Sequence, residues 1–264
     1  MKKEKLYINT KNGKIKILVL RPKNQNKLLP GILWIHGGGF ATGMASMVNF
    51  SRGKDIAKKY GAVVISPEYR RSIKYPFPAA FDDCCETLEY MYKNAEKLGI
   101  DKNKIIVGGE SAGGGLAISV CLYARDKTNI PIMLQIPLYP MIDCNDTKSS
   151  KDNHGHIWNT KRNKSAWKLY LRDLYNAKNI SKYASPSREK DYTNLPPCYT
   201  FVADGEPFYS ETLKYIDDLK KANIKAKVDI YHGNTHAFDM ILFWTRNAKK
   251  AKEKLLKEVE EYFK

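Results

Sequence analysis

Apolar and polar residues tend to alternate near the N-terminus, in KLYINT (residues 5–10) and KIKILVL (14–20). A period of two sends successive side chains to opposite faces, so these segments read as two hairpin strands joined at Asn12-Gly13, a favoured two-residue turn. From GILWIH (31–36) onward the pattern changes. Mainly apolar runs at 62–67 (AVVISP), 104–109 (KIIVGG), 132–137 (IMLQIP), 198–203 (CYTFVA) and 226–231 (AKVDIY) alternate with helically spaced segments at about 46–60, 79–97, 112–125, 207–222 and the C-terminus. Strands that are apolar on both faces must be covered on both sides, and the interleaved amphipathic helices supply that cover. The expected fold class is therefore α/β, a mostly parallel central sheet with helices on both faces.

This rhythm breaks between Met141 and about Leu195. A polar run, DCNDTKSSKDNHGHIWN, leads there into an aromatic helix, SAWKLYLRDLY, and a Pro-Ser linker, YASPSRE. About fifty residues is too long for a plain connection between neighbouring strands. We read it as a cap-like insertion at about 141–195, lying over the top of the sheet within a single domain that spans residues 1–264. Its Trp158, Trp167, Tyr170 and Tyr175 either wall a substrate pocket or pack the insertion onto the sheet.

Composition changes this picture little. The 264 residues are 43% hydrophobic, enough for a sizeable core, and no segment approaches the ~18 unbroken apolar residues of a membrane span. The N-terminal residues lack the apolar run of a signal peptide, and the five cysteines (Cys84, Cys85, Cys121, Cys144 and Cys198) form no C-x-x-C pair. A cytoplasmic protein with reduced thiols is expected. The net charge of +17 is the one anomaly, but the lysines are spread along the whole chain. Even the densest run, at the C-terminus, leaves Leu255, Leu256, Val259 and Phe263 on one face, so its charges read as solvated helix faces and not as a nucleic-acid footprint. Neither nucleic acid nor a membrane is expected as a partner, and no oligomeric state is read from the sequence.

The chemistry lies in two glycine-rich stretches. GGESAGG contains G-x-S-x-G at Gly109, Ser111 and Gly113, at the junction of an expected strand and an expected helix. A nucleophile elbow needs that context: the sharp turn strains the serine backbone, small neighbours let the chain pass, and Oγ is lifted to the top of the sheet. HGGGF, at His36 to Phe40, follows another buried strand. The N–H groups of Gly38 and Gly39, joined by that of Ala112 after the serine, can converge on the oxygen of a tetrahedral intermediate. Either stretch alone also fits a phosphate-cradling or chemically silent turn; together they point to acyl transfer. His36 comes too early to be the obvious base and is expected to fix its loop by hydrogen bonding.

HGGGF followed by GESAGG resembles the hormone-sensitive-lipase-like esterases of the α/β-hydrolase fold, and the resemblance covers residues 28–264. It implies a base histidine after the last strand in an H-G-x-x-H-x-F setting, which HGNTHAF places at His236. Independently, an elbow serine needs a general base, and His236 lies in a loop just past a strand end. The family usually carries Asp-Pro as the acid, whereas this chain reads ADGEPFYSE. Matching on Pro207 puts the acid at Glu206, with Asp204 as the rival. Asp239 reads as a helix-start residue, and Glu110 as a group that orients its neighbours beneath the elbow. His154 and His156 have the look of a metal pair but lack further ligands nearby, so no metal or cofactor is expected.

The N-terminal helical cap of larger family members is not found ahead of Pro30, which leaves the insertion to cover the site and favours short acyl groups. The leading expectation is a serine carboxylesterase acting on small, acetyl-type esters through a Ser-His-Glu triad. Hydrolysis of an amide such as a formamide, and a non-catalytic small-molecule receptor on the same scaffold, are the alternatives.

Overall fold

The computed structural model describes residues 1–264. Its eight strands are β1 (Lys2–Thr10), β2 (Gly13–Arg21), β3 (Leu29–Ile35), β4 (Val63–Pro67), β5 (Ile100–Glu110), β6 (Leu134–Leu138), β7 (Cys198–Ala203) and β8 (Ala226–Tyr231). They form one sheet in the order β1-β2-β4-β3-β5-β6-β7-β8. The β1/β2 and β2/β4 pairs are antiparallel and all others parallel. In the hairpin, Thr10 pairs with Gly13, so the turn residues are Lys11 and Asn12 and not the expected Asn12-Gly13. Only Gly13 takes a positive φ there, the pattern of an ordinary turn followed by one left-handed residue.

The helices are α1 (Arg52–Tyr60), α2 (Ala79–Lys93), α3 (Ala95–Leu98), α4 (Ala112–Lys127), α5 (Thr160–Leu171), α6 (Tyr209–Lys221), α7 (Phe238–Ile241) and α8 (Arg246–Glu258). Alternation along β3 divides the core in two. Leu33 and Ile35 pack with residues of α2, α4 and α6, while Ile32 and Trp34 pack with residues of α1 and α8 on the other face. None of the helices is long and apolar enough to cross a membrane.

Two expected helices are broken. The one at 46–60 is a 3₁₀ turn over Ala45–Phe50 followed by α1, because Ser51 accepts the N–H of Lys54 on its hydroxyl (3.3 Å) and restarts the helix as its cap. The one at 79–97 stops at Asn94, whose backbone and side-chain N–H groups both bond the carbonyl of Tyr90.

After β3 the chain adds β4 on one side and β5 on the other. At such a switch point the loops leaving the carboxyl ends of the two strands part and open a crevice. The loops after β3, β5, β7 and β8 all leave from that edge. The long connection from β6 to β7 lies over it: Tyr170 of α5 stacks on Phe40 with ring centroids 3.9 Å apart, and its carbonyl accepts the N–H of Phe77 (2.7 Å).

Candidate active site

Ser111 stands between β5 and α4 with φ 58° and ψ −123°, a conformation L-residues avoid. Three backbone bonds of 3.0 Å hold it there: its N–H donates to Leu138, and its carbonyl accepts from Gly115 and Met141. A methyl group on Gly113 would fall 2.5 Å from the carbonyl oxygen of His36, so no side chain fits where the elbow passes under β3.

The β3 loop lies against the elbow, where a methyl group on Gly37 would stand 3.2 Å from Cβ of Ser111, and it carries backbone donors without partners. Gly38 and Gly39 take φ 117° and 58°, and the Gly38 carbonyl is pinned by the N–H groups of Ala41 (3.1 Å) and Thr42 (2.9 Å) and by the Thr42 hydroxyl (3.0 Å). The N–H groups of Gly38 and Gly39 find no acceptor in the protein. That of Ala112 precedes the first bond within α4, Gly115 N–H to Ser111, and is equally free. His36 fixes this loop from behind: Nδ1 donates to the Gly37 carbonyl (2.8 Å) and the ring stacks on Tyr69 at 4.1 Å.

Burial pushes the His36 imidazole down to about 4, which keeps it neutral. Below about pH 6.5 the unfolded chain takes up a proton that folded His36 refuses until about pH 4, so stability falls as pH falls through that window. The expected result is a melting temperature that declines from pH 6.5 to 4 with a shallower slope in His36→Asn, which retains the donor to Gly37. Thermal melts across that range check it.

His236 and its acid come from neighbouring strand ends. The parallel register sets Ala203 opposite Tyr231, so the residues just beyond each strand meet in pairs. Asp204 and His232, one residue past β7 and β8, bond through Oδ2 and Nδ1 at 2.9 Å on the exposed surface. Glu206 lies three residues past β7 and His236 five past β8, and they turn inward. His236 Nδ1 bonds Glu206 Oε2, and His236 Nε2 lies 2.9 Å from Ser111 Oγ. Glu206 is fully buried and its Oε1 accepts the N–H of Ala203 (3.0 Å). Burial pushes its carboxyl up, and the bond and charge of His236 pull against that. The two candidate acids therefore take different histidines.

A family model of the α/β-hydrolase fold matches residues 32–240. The chain belongs to this family, in its hormone-sensitive-lipase-like branch. An AB hydrolase superfamily protein of Schizosaccharomyces pombe is 34% identical over 227 residues, which are 81% of this chain and 65% of that one. The chain thus spans less than two thirds of that relative. An ethyl acetate hydrolase of Pseudomonas putida is 26% identical over 238 residues, covering 88% of this chain and 74% of its own. A solved bacterial heroin esterase superposes with a TM-score of 0.94 at 31% identity, covering 100% of this chain and 84% of its own.

Around the Ser-His-Glu contacts this α/β-hydrolase places groups that sequence reasoning assigned differently or missed. Asp239 stands in the first turn of α7, as expected of a helix-start residue, but it is also 1% exposed, and its carboxylate accepts from Arg52 Nε and from the Tyr139 hydroxyl, both at 2.8 Å. Nothing in the local sequence marks Arg52, an ordinary basic residue opening a helix. Glu110 does lie beneath the elbow, accepting the indole N–H of Trp34 (2.8 Å), and burial pushes it up to about 8. Of the aromatic residues in the 141–195 segment, Trp158 faces His236 with ring centroids 6.2 Å apart, whereas Trp167 and Tyr170 are buried against Phe40. Phe208, unnoticed in the sequence, meets the His236 ring edge-on at 5.0 Å. His154 bonds Asp152 (3.0 Å), both of them exposed.

Proposed function

We propose that this protein is a serine carboxylesterase that hydrolyses short-chain, acetyl-type acyl esters through an acyl-enzyme intermediate. The observation that carries the reading is the unbroken buried line from Ser111 Oγ through both nitrogens of His236 to Glu206. Ser111 Oγ attacks the ester carbonyl as His236 Nε2 takes its proton, and Glu206 holds the imidazole in the right tautomer and stabilises the imidazolium. The negative oxygen is received by the N–H groups of Gly38, Gly39 and Ala112. His236 then protonates the departing alcohol, water attacks the acyl-enzyme with His236 again as base, and the acid leaves.

The cover over the site supports a short acyl group. Trp158 lies directly against Gly39, and a methyl on that glycine would stand 3.2 Å from Cβ of Ala166, so α5 and the segment before it roof the oxyanion loop closely. The P. putida relative is an ethyl acetate hydrolase, which points the same way. Five free thiols, four of them buried, support a cytoplasmic setting.

A panel of p-nitrophenyl esters from roughly two to sixteen acyl carbons tests both parts. We expect kcat/KM to be highest at about two to four carbons, because the close roof over Gly39 leaves a longer tail less room to gain the ~0.8 kcal/mol per methylene that burial yields. Trp158→Ala should move the optimum towards longer chains. A folded protein that turns over none of these esters would overturn the esterase reading, and highest rates on ten or more carbons would overturn the short-chain part alone.

A further inference from the structure

His236 is carried by a segment that forms only one short helical turn, whose Phe238 packs on Phe201 and Tyr231. Ala237 follows it at φ 55° and ψ 37°, a left-handed conformation that alanine disfavours, and then comes α7, a single turn of four residues. Three bonds from outside fasten that turn, all at Asp239. Its Oδ2 accepts from Arg52 Nε (2.8 Å), its backbone carbonyl from Arg52 Nη2 (3.1 Å), and its Oδ1 from the Tyr139 hydroxyl (2.8 Å). Arg52, Tyr139 and Asp239 are 6%, 0% and 1% exposed.

The Tyr139 bond matters because of where Tyr139 sits. It belongs to the segment 138–141, whose two ends grip Ser111: the Leu138 carbonyl takes the Ser111 N–H and the Met141 N–H donates to the Ser111 carbonyl. The Tyr139 ring also meets the His236 ring edge-on at 5.2 Å and 80°. One hydroxyl-to-carboxylate bond therefore links the segment that holds Ser111 to the segment that carries His236, and Arg52 anchors the carboxylate at the start of α1.

Resting on the esterase reading above, we propose that Tyr139, Asp239 and Arg52 form a positioning unit that sets the approach of His236 Nε2 to Ser111 Oγ. None of the three touches substrate. The unit acts through the reach of the histidine, so its loss lowers turnover while leaving substrate binding and the oxyanion donors in place.

The test uses Tyr139→Phe, which removes one oxygen and keeps the ring, and Asp239→Asn, which keeps the shape and removes the charge. For each, kcat and KM on p-nitrophenyl acetate are measured beside the far-downfield proton resonance of the His236–Glu206 bond and a thermal melt. We expect Tyr139→Phe to lower kcat about 10–100-fold with KM little changed, in keeping with the cost of a small displacement at a reacting centre, and to shift or broaden the resonance. The double variant should be no slower than the slower single one, because both break the same link. A Tyr139→Phe protein that melts earlier but keeps its kcat and its resonance would show a purely structural role and overturn the proposal. Should Asp239→Asn fail to fold, Tyr139→Phe decides alone. The resonance reads the geometry of His236 whether or not esters are hydrolysed, so a failure of the esterase reading remains distinguishable from a failure of the positioning unit.

Discussion

Ser111→Ala is expected to lower ester hydrolysis by about 10⁵–10⁶-fold, the scale on which serine hydrolases respond to loss of the nucleophile, and His236→Ala by a similar factor. In the proposed mechanism both residues act in one proton transfer: without Nε2 at 2.9 Å the hydroxyl remains a weak nucleophile, and without Oγ the histidine has nothing to activate. The double variant should therefore be hardly slower than either single one. Ser111→Ala deletes only Oγ, while the bonds that hold the elbow are all backbone bonds from Leu138, Gly115 and Met141. The melting temperature is accordingly expected to change little. Steady-state rates on p-nitrophenyl acetate and labelling of the wild-type serine by an organophosphate check the result. More than a few per cent of the wild-type rate in folded Ser111→Ala would remove Ser111 from the reaction.

The second large effect is expected at the acid. Glu206→Gln keeps size and position but puts a neutral amide where a carboxylate faced His236 Nδ1. The imidazole then loses the acceptor that fixes its tautomer and the charge that stabilises its protonated form, and kcat is expected to fall about 10²–10⁴-fold with a smaller change in KM. Glu206→Asp should retain part of the activity, since a carboxylate remains but stops about one methylene short. Asp204→Asn should be mild, because Asp204 bonds His232 and the N–H of Gly233 at the surface and not His236. Inactive Asp204→Asn beside near-normal Glu206→Gln would transfer the role to Asp204.

Much of this molecule could be read before its shape was known. The continuous apolar strands at 62–67, 104–109 and 198–203 and the helices between them follow from periodicity, because each must bury the faces its pattern makes apolar. Errors came where one side chain redirects the backbone locally. Ser51 capping a new helix and Asn94 ending another both bond nearby main chain in ways that a hydrophobic pattern does not register.

By itself the sequence determined the parts of the proposed site whose requirements are local. An elbow needs small residues on either side of a strained serine, and an oxyanion loop needs successive unobstructed N–H groups after a strand, so GGESAGG and HGGGF carry those demands in their own letters. Which acid meets which histidine was decided only by the tertiary structure. Asp204 and Glu206 are two residues apart and both carboxylic acids, and their partners lie about thirty residues further on. The register of β7 against β8 brings Asp204 to His232 and leaves Glu206 and His236 to turn inward together. The anchoring of Asp239 by Arg52, 187 residues away, is of the same kind. Contacts of that sequence separation arise from the packing of whole elements against one another, and no local pattern records them.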